Sequence, residues 1–170
     1  LVYNNIRFEF SDIDQASAFA TLFTGSNPCF SGIAGDKTFD FEKEKEVSIL
    51  NDPEYLGNYT KENYSPKNLF SSTIGDELKI ASQGRSDVYS IAPDAESAIL
   101  SAGHAANGAF WMDNTNGKWA TTTYYKGIPW YVDRYNNGPE SLASRLETMV
   151  WTPTLPMEKY DAFPYVLDDL

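Results

Sequence analysis

The stretch DIDQASAFATLFTGSNPCFSGI, residues 12–33, decides how this chain is read. Asp12 or Asp14 can cap a helix over roughly 15–24, because a carboxylate placed there accepts the unpaired N–H groups of the first turn. The Ala-rich run favours helix, and Gly25 can end it in the left-handed conformation. Asn27-Pro28 and Gly32-Ile33 then mark a loop.

Working outward, LVYNNIRFEF (1–10) alternates like a strand. It carries no initiating Met and reads as chain cut from inside a longer protein. Residues 36–66, with FEKEKEV, are polar and irregular and read as an excursion over the surface. A helix is expected from about Ser72, with Ile74, Leu78 and Ala81 on one face and Gly84 as its stop. SDVYSIAP reads as a short, mostly buried strand, and AESAILSAG as a short helix closed by Gly103. GAFWMDNTNGKWATTTYY reads as an aromatic hairpin turning at Asn116-Gly117, a pair that favours type I′ geometry. Pro129 and Pro139 each open a further helix, and the tail is Pro-rich. Helices and strands alternate early, so the fold class expected is α/β with the hairpin as an insertion.

At 170 residues the chain is one domain or a piece of one. Its net charge of −11 would repel a nucleic acid polymer, since phosphate binding needs local positive charge and no Lys/Arg cluster supplies it. No apolar run approaches the roughly 18 residues a membrane span needs, and no signal peptide is visible. Cys29 is the single cysteine, so it makes no internal disulfide and reads as a buried spectator thiol. The sequons at Asn58 and Asn63 mean little without a secretory context.

The common catalytic constellations are missing. One histidine cannot build a His-rich metal site, and no glycine-rich phosphate loop with its Lys occurs. A Ser–His–Asp triad would have to use His104, whose small neighbours point to a structural hydrogen-bonding role. Asp12, Asp14, Asp36 and Asp40 form a loose acidic set, either a hard-cation site or solvated loop acids.

The pattern helix-Thr-Gly-x-x-Pro-x-x-x-Gly-Ile at 21–33 resembles the alkaline phosphatase superfamily, nearest its bacterial branch similar to nucleotide pyrophosphatase/phosphodiesterases. TIGDELKIA (73–81), VYSIAPDAESAILSAGHAANGAFW (88–111) and GKWATTTYY (117–125) agree in order, as do PWYVDRYNN and WTPTLP. The resemblance implies a fragment of an alkaline phosphatase-like α/β fold. Residues 1–35 would belong to the core around the nucleophile helix, and 36–170 would form the cap and insertion region with the aromatic hairpin.

It also implies a metal-dependent phosphoesterase in which two zinc ions about 4 Å apart clamp the attacking and leaving oxygens. A Thr at a helix N-terminus attacks phosphorus, helped by the positive end of the helix dipole. An Asn binds a phosphoryl oxygen. In monoesterases of the branch a Lys and an Arg hold the others. Ligands would be phosphate esters or nucleotide-like small molecules, and the location periplasmic or secreted. Oligomeric state is left open.

Counting back from Thr24-Gly25, the nucleophile position falls on Gln15 and the Asn position on Asp36. The Lys and Arg positions fall on Asp94 and Glu96. An amide cannot form a phospho-enzyme, and three carboxylates replace groups that would hold phosphate. A like-charge pair at roughly 4 Å costs about 4 kcal/mol at an effective dielectric of about 20. Ser17 is the nearest substitute nucleophile, but two helical residues turn it to another face. The family's metal ligands fall outside this chain.

Two readings follow. One is an enzyme fragment, a phosphodiesterase or pyrophosphatase-like hydrolase whose remaining core lies elsewhere. The other is a pseudoenzyme kept for binding a ligand or protein, in which Tyr124, Tyr125, Trp130 and Tyr131 offer stacking surfaces.

Overall fold

A computed structural model describes residues 5, 7–11, 13–41, 43–151 and 165–166 of the chain. The first helix, α1 (Gln15–Thr24), is capped by Asp14, whose side chain accepts the Ser17 N–H while the Ser17 side chain returns the bond to the Asp14 backbone. It stops at Gly25, whose φ of 68° suits a residue without Cβ. The expected loop beyond it contains a one-turn helix, α2 (Pro28–Ser31), because Pro28 is pre-set for a first helical position. Cys29 on that turn is exposed, which corrects the expectation of a buried thiol.

Residues 9–11 bend rather than extend, and the rings of Phe8 and Phe10 pack 5.3 Å apart. The strand expected over 1–10 is therefore absent from its described part, and the rest of that run lies outside the described residues, as do Asp12 and most of the Pro-rich tail. Residues 36–66 are more ordered than their polarity suggests. They hold the hairpin of β1 (Lys37–Asp40) and β2 (Lys45–Ser48), then β3 (Gly57–Asn58), and they bury Leu50, Asp52 and Ser65.

The central sheet has four strands in the order β3-β6-β5-β4. β4 (Tyr89–Ala92) runs parallel to β5 (Gly108–Asp113), joined through α4 (Ala95–Ala102). β6 (Lys118–Thr122) returns antiparallel to β5 and carries β3 on its far side. Four residues separate the paired Asp113 and Lys118, and Asn116 is not at positive φ, so the turn is not type I′. Asp113 backbone oxygen instead accepts the N–H of Gly117 at 2.9 Å, holding a longer loop.

α4 packs on β4 and β5, and α1 packs on α4. The seam is built of small side chains, with Ala16, Ala20, Ala98 and Ala102 all buried. Ile33, Leu50, Leu69, Ile99 and Leu100 fill the space around it, each worth about 1.5–3 kcal/mol of burial.

The helix expected from Ser72 is α3 (Ile74–Ala81), capped by Thr73. Its buried face is not the apolar one: Gly75 and Asp76 turn inward, while Ile74 and Leu78 are 70% and 50% exposed. The Thr73–Asp76 capping box draws that polar side inward. β4 likewise sits at the sheet edge with Tyr89 and Ile91 outward, so it is not a mostly buried strand. Pro129 caps α5 (Trp130–Asn136), and α6 (Leu142–Leu146) starts three residues beyond Pro139, at the Ser141 cap. A short pair, β7 (Val150–Trp151) with β8 (Tyr165–Val166), completes the described chain.

Candidate functional site

Two helix N-termini meet at the candidate site. Gln15 is the first residue of α1, and Asp94 caps α4. The Gln15 side-chain amide donates to Asp94 Oδ2 at 2.6 Å and to Ser97 Oγ at 2.7 Å. Asp94 Oδ1 in turn accepts the Ser97 N–H at 2.8 Å, and its Oδ2 accepts the Ser97 hydroxyl at 3.1 Å. Gln15 and Asp94 are thus tied directly, with Ser97 closing the ring of bonds.

Asp36 joins this group through Asp14. Asp14 Oδ1 accepts the Ser17 N–H at 2.8 Å, and its Oδ2 accepts the Asp36 N–H at 2.7 Å. Burial alone would raise the Asp14 carboxyl, but bonds from the Ser17 side chain, the Ser17 N–H and the Asp36 N–H outweigh it and hold it below its ordinary value. One carboxylate therefore fixes the start of α1 against the turn at 34–36.

Glu96 is partly buried on α4. Burial raises its pKa, and the negative charges of Asp94, Asp36 and Glu62 raise it further. Tyr64 stands beside the same acids, and its hydroxyl is pushed up to about 12 by burial, then by Glu62 and Glu96. Among the described residues no ion pair reaches Asp36, Asp94 or Glu96; the pairs present are Lys43–Asp40, Lys67–Asp52 and His104–Asp76.

Ser17 has no exposed surface. Its hydroxyl donates to the Asp14 carbonyl at 3.2 Å and accepts the Asp14 N–H at 3.1 Å. A hydroxyl committed to its own helix cap and closed off from solvent is a poor nucleophile, which corrects its candidacy.

His104 lies elsewhere, against α3. Its N–H and that of Ala105 donate to Asp76 Oδ1 at 2.9 and 2.7 Å, and its ring Nδ1 lies 3.4 Å from Asp76 Oδ2. Burial acts to raise Asp76, yet the N–H groups of Thr73 and Ala105, with the Thr73 hydroxyl and His104, leave it lowered. The single histidine thus helps fold a loop around a buried carboxylate, the structural role its small neighbours suggested.

The acidic loop set does not assemble. Asp14 and Asp36 are joined by a backbone bond, Asp40 pairs with Lys43 at 3.0 Å, and Asp12 lies outside the described residues. Among the described residues no group of three His, Cys, Asp or Glu side chains could hold a metal ion. Of the aromatic quartet, Tyr125 is buried with its hydroxyl donating to the Gly103 carbonyl at 2.7 Å, and Tyr124 stacks edge-on against Tyr55 and Tyr125. Trp130 and Tyr131 do remain exposed, at 74% and 50%.

Sequence reasoning missed Ser97, Glu62 and Tyr64. The spacing Asp94-x-x-Ser97, repeated as Asp14-x-x-Ser17, marks both helix caps and could have found Ser97. Nothing local points to Glu62 or Tyr64, which come in from a distant loop.

No family model matches the chain. Alkaline phosphatase PafA of Elizabethkingia meningoseptica is 35% identical over 162 residues, taking in 92% of this chain and 29% of that protein. Alkaline phosphatase PhoV of Synechococcus elongatus is 34% identical over 159 residues, taking in 88% of this chain and 28% of that protein. The crystal structure of wild-type alkaline phosphatase PafA superposes with a TM-score of 0.74 at 36% identity, over 86% of this chain and 29% of that one. These likenesses support the alkaline phosphatase superfamily. The mixed helix and strand arrangement matches part of the alkaline phosphatase fold, and the chain spans under a third of the length of the phosphatases it matches.

Proposed function

We propose that this chain is the nucleophile-helix and cap portion of an alkaline phosphatase superfamily protein whose phosphoryl-transfer chemistry has been replaced. The supporting observation is the Gln15 side chain, held by Asp94 and Ser97 at 2.6 and 2.7 Å. An amide so bound has no hydroxyl to attack phosphorus, and it stands among acids where a phosphate dianion needs donors. On this reading the site binds a ligand or partner without turning over phosphate monoesters. The pseudoenzyme alternative is thus preferred to the active hydrolase.

The hydrolase reading keeps one observation in its favour. By the family resemblance Asp94 and Glu96 take the positions where a monoesterase holds the extra charge of its dianion, and a diester monoanion has less need of cations there. If the whole protein hydrolyses anything, a diester or nucleotide-like ester is the class to try. The phosphodiesterase-like branch, the two zinc ions and the periplasmic or secreted location belong to this proposal as inferences from family likeness.

Inorganic phosphate binding tests it. By titration calorimetry the chain should show no heat of binding with phosphate. The variant Gln15→Thr/Asp36→Asn/Asp94→Lys/Glu96→Arg should gain measurable affinity. Phosphate binding by the unaltered chain that Gln15→Ala weakens would sink the proposal.

A further inference from the structure

We infer that Asp94 acts as a built-in anion: its carboxylate fills the gap between the N-termini of α1 and α4 and shuts that gap to anions from solution. The inference deepens the proposed function and rests on that reading, since it says what stands in the site instead of a phosphate.

Three observations carry it. First, two helix N-termini meet there. α1 starts at Gln15 and α4 at Ala95, and the two helices pack on one another. The N-terminal end of a helix carries partial positive charge, so a negative group is favoured where two such ends come together.

Second, the Asp94 carboxylate is bonded on both sides of the gap. On α4, its Oδ1 accepts the Ser97 N–H at 2.8 Å and its Oδ2 accepts the Ser97 hydroxyl at 3.1 Å. On α1, the Gln15 amide donates to the same Oδ2 at 2.6 Å and to Ser97 Oγ at 2.7 Å. Both amide hydrogens, the Ser97 hydroxyl and the Ser97 N–H are then engaged. Ser97 itself is buried. An anion from solution finds no free donor in this ring while Asp94 is in place. The cap of α1 is different: Asp14 accepts the Ser17 N–H, but its other oxygen turns to the Asp36 N–H at 2.7 Å. Of the two caps, Asp94 is the one that reaches across.

Third, no cation balances Asp94. Among the described residues no Lys or Arg makes an ion pair with it, so N–H and O–H groups hold the charge. Burial and then the charges of Asp94, Asp36 and Glu62 hold the Glu96 carboxyl above its ordinary value, so these acids crowd one another. A singly charged carboxylate could therefore replace Asp94 one for one. A phosphate dianion would add a further charge against Asp36 and Glu96.

Melting curves test this with formate, which has the charge and size of the group removed. Asp94→Ser keeps a capping oxygen for the Ser97 N–H and deletes the carboxylate that Gln15 holds. In about 100 mM sodium formate it should melt at least about 2 °C higher than in sodium chloride of equal ionic strength. Asp94→Gly, roomier by one methylene, should respond to acetate in the same way. The unaltered chain and Asp94→Asn should melt alike in all three salts, because a side chain still fills the gap. Gln15→Ala combined with Asp94→Ser should lose the response, since the donor from α1 is gone. No response in either Asp94→Ser or Asp94→Gly, an equal response in the unaltered chain, or a response that survives Gln15→Ala would each overturn the inference. Turnover of a phosphate ester would instead defeat the proposed function, and the two can fail separately.

Discussion

Removing the Asp76 side chain should cost more stability than any other single carboxylate change in the described structure. Asp76 is 4% exposed and accepts four bonds. They come from the Thr73 N–H at 2.8 Å, the Thr73 hydroxyl at 3.0 Å, and the N–H groups of His104 and Ala105 at 2.9 and 2.7 Å. In Asp76→Ala water can reach the exposed His104 and Ala105 but not Thr73, which has no exposed surface. One buried unpaired N–H costs about 1–3 kcal/mol and the lost capping box about 1 more, so the expected loss is about 3 kcal/mol. For a chain of this size that lowers the melting temperature by about 6–12 °C. Thermal and urea unfolding followed by circular dichroism at pH 7 would measure it.

The pH dependence adds a sign to the prediction. The Asp76 carboxyl is held below its ordinary 3.8, so its contribution is full above that value and is lost as pH falls through the folded-state value. The gap between wild type and Asp76→Ala should hold steady from about pH 7 to pH 5 and close in stronger acid. A loss under about 1 kcal/mol at neutral pH, or a gap that widens in acid, would refute the reasoning.

Gly103→Ala should destabilise by about 2 kcal/mol or more, because φ is +72° and a Cβ would sit 2.3 Å from Thr73 Oγ1 and 2.4 Å from Asp76 Oδ2; urea unfolding would report it. Glu96→Gln should raise the melting temperature at pH 7. The carboxyl is raised by burial and by Asp94, Asp36 and Glu62, so its contribution is present below the ordinary 4.5 and lost as pH rises through the folded-state value. The gain from Glu96→Gln should therefore shrink in acid, and a melting series from about pH 7 to pH 4 would show whether it does.

The helix caps were legible in the sequence because their cause is local. Asp12 or Asp14 with Gly25 bounded α1 and Gly103 closed α4, each through a side chain or glycine within a few residues, and the structure adds Asp94 as the cap of α4. The β5–β6 hairpin was legible from its aromatic strands, although its turn was not. What escaped depended on tertiary partners. Ile74 and Leu78 have helical spacing, yet a buried capping box turned that face outward. Tyr89 and Ile91 read as buried from composition, but edge position decides exposure and no local pattern encodes it. The site divides in the same way. Family resemblance singled out Gln15 and Asp94 as candidates, whereas their direct bond and the approach of Glu62 and Tyr64 come from the packing of α1 on α4 and from the loop before α3.

The most direct test of the proposal that the phosphoryl-transfer chemistry is replaced is turnover by the purified chain. p-Nitrophenyl phosphate and bis(p-nitrophenyl) phosphate are offered with added Zn²⁺, and intact-mass spectrometry looks for a phosphorylated protein. The account predicts neither hydrolysis nor a phosphoryl adduct. Hydrolysis that disappears in Ser17→Ala, with an adduct mapped to residues 15–17, would contradict it and restore a working nucleophile to the first turn of α1.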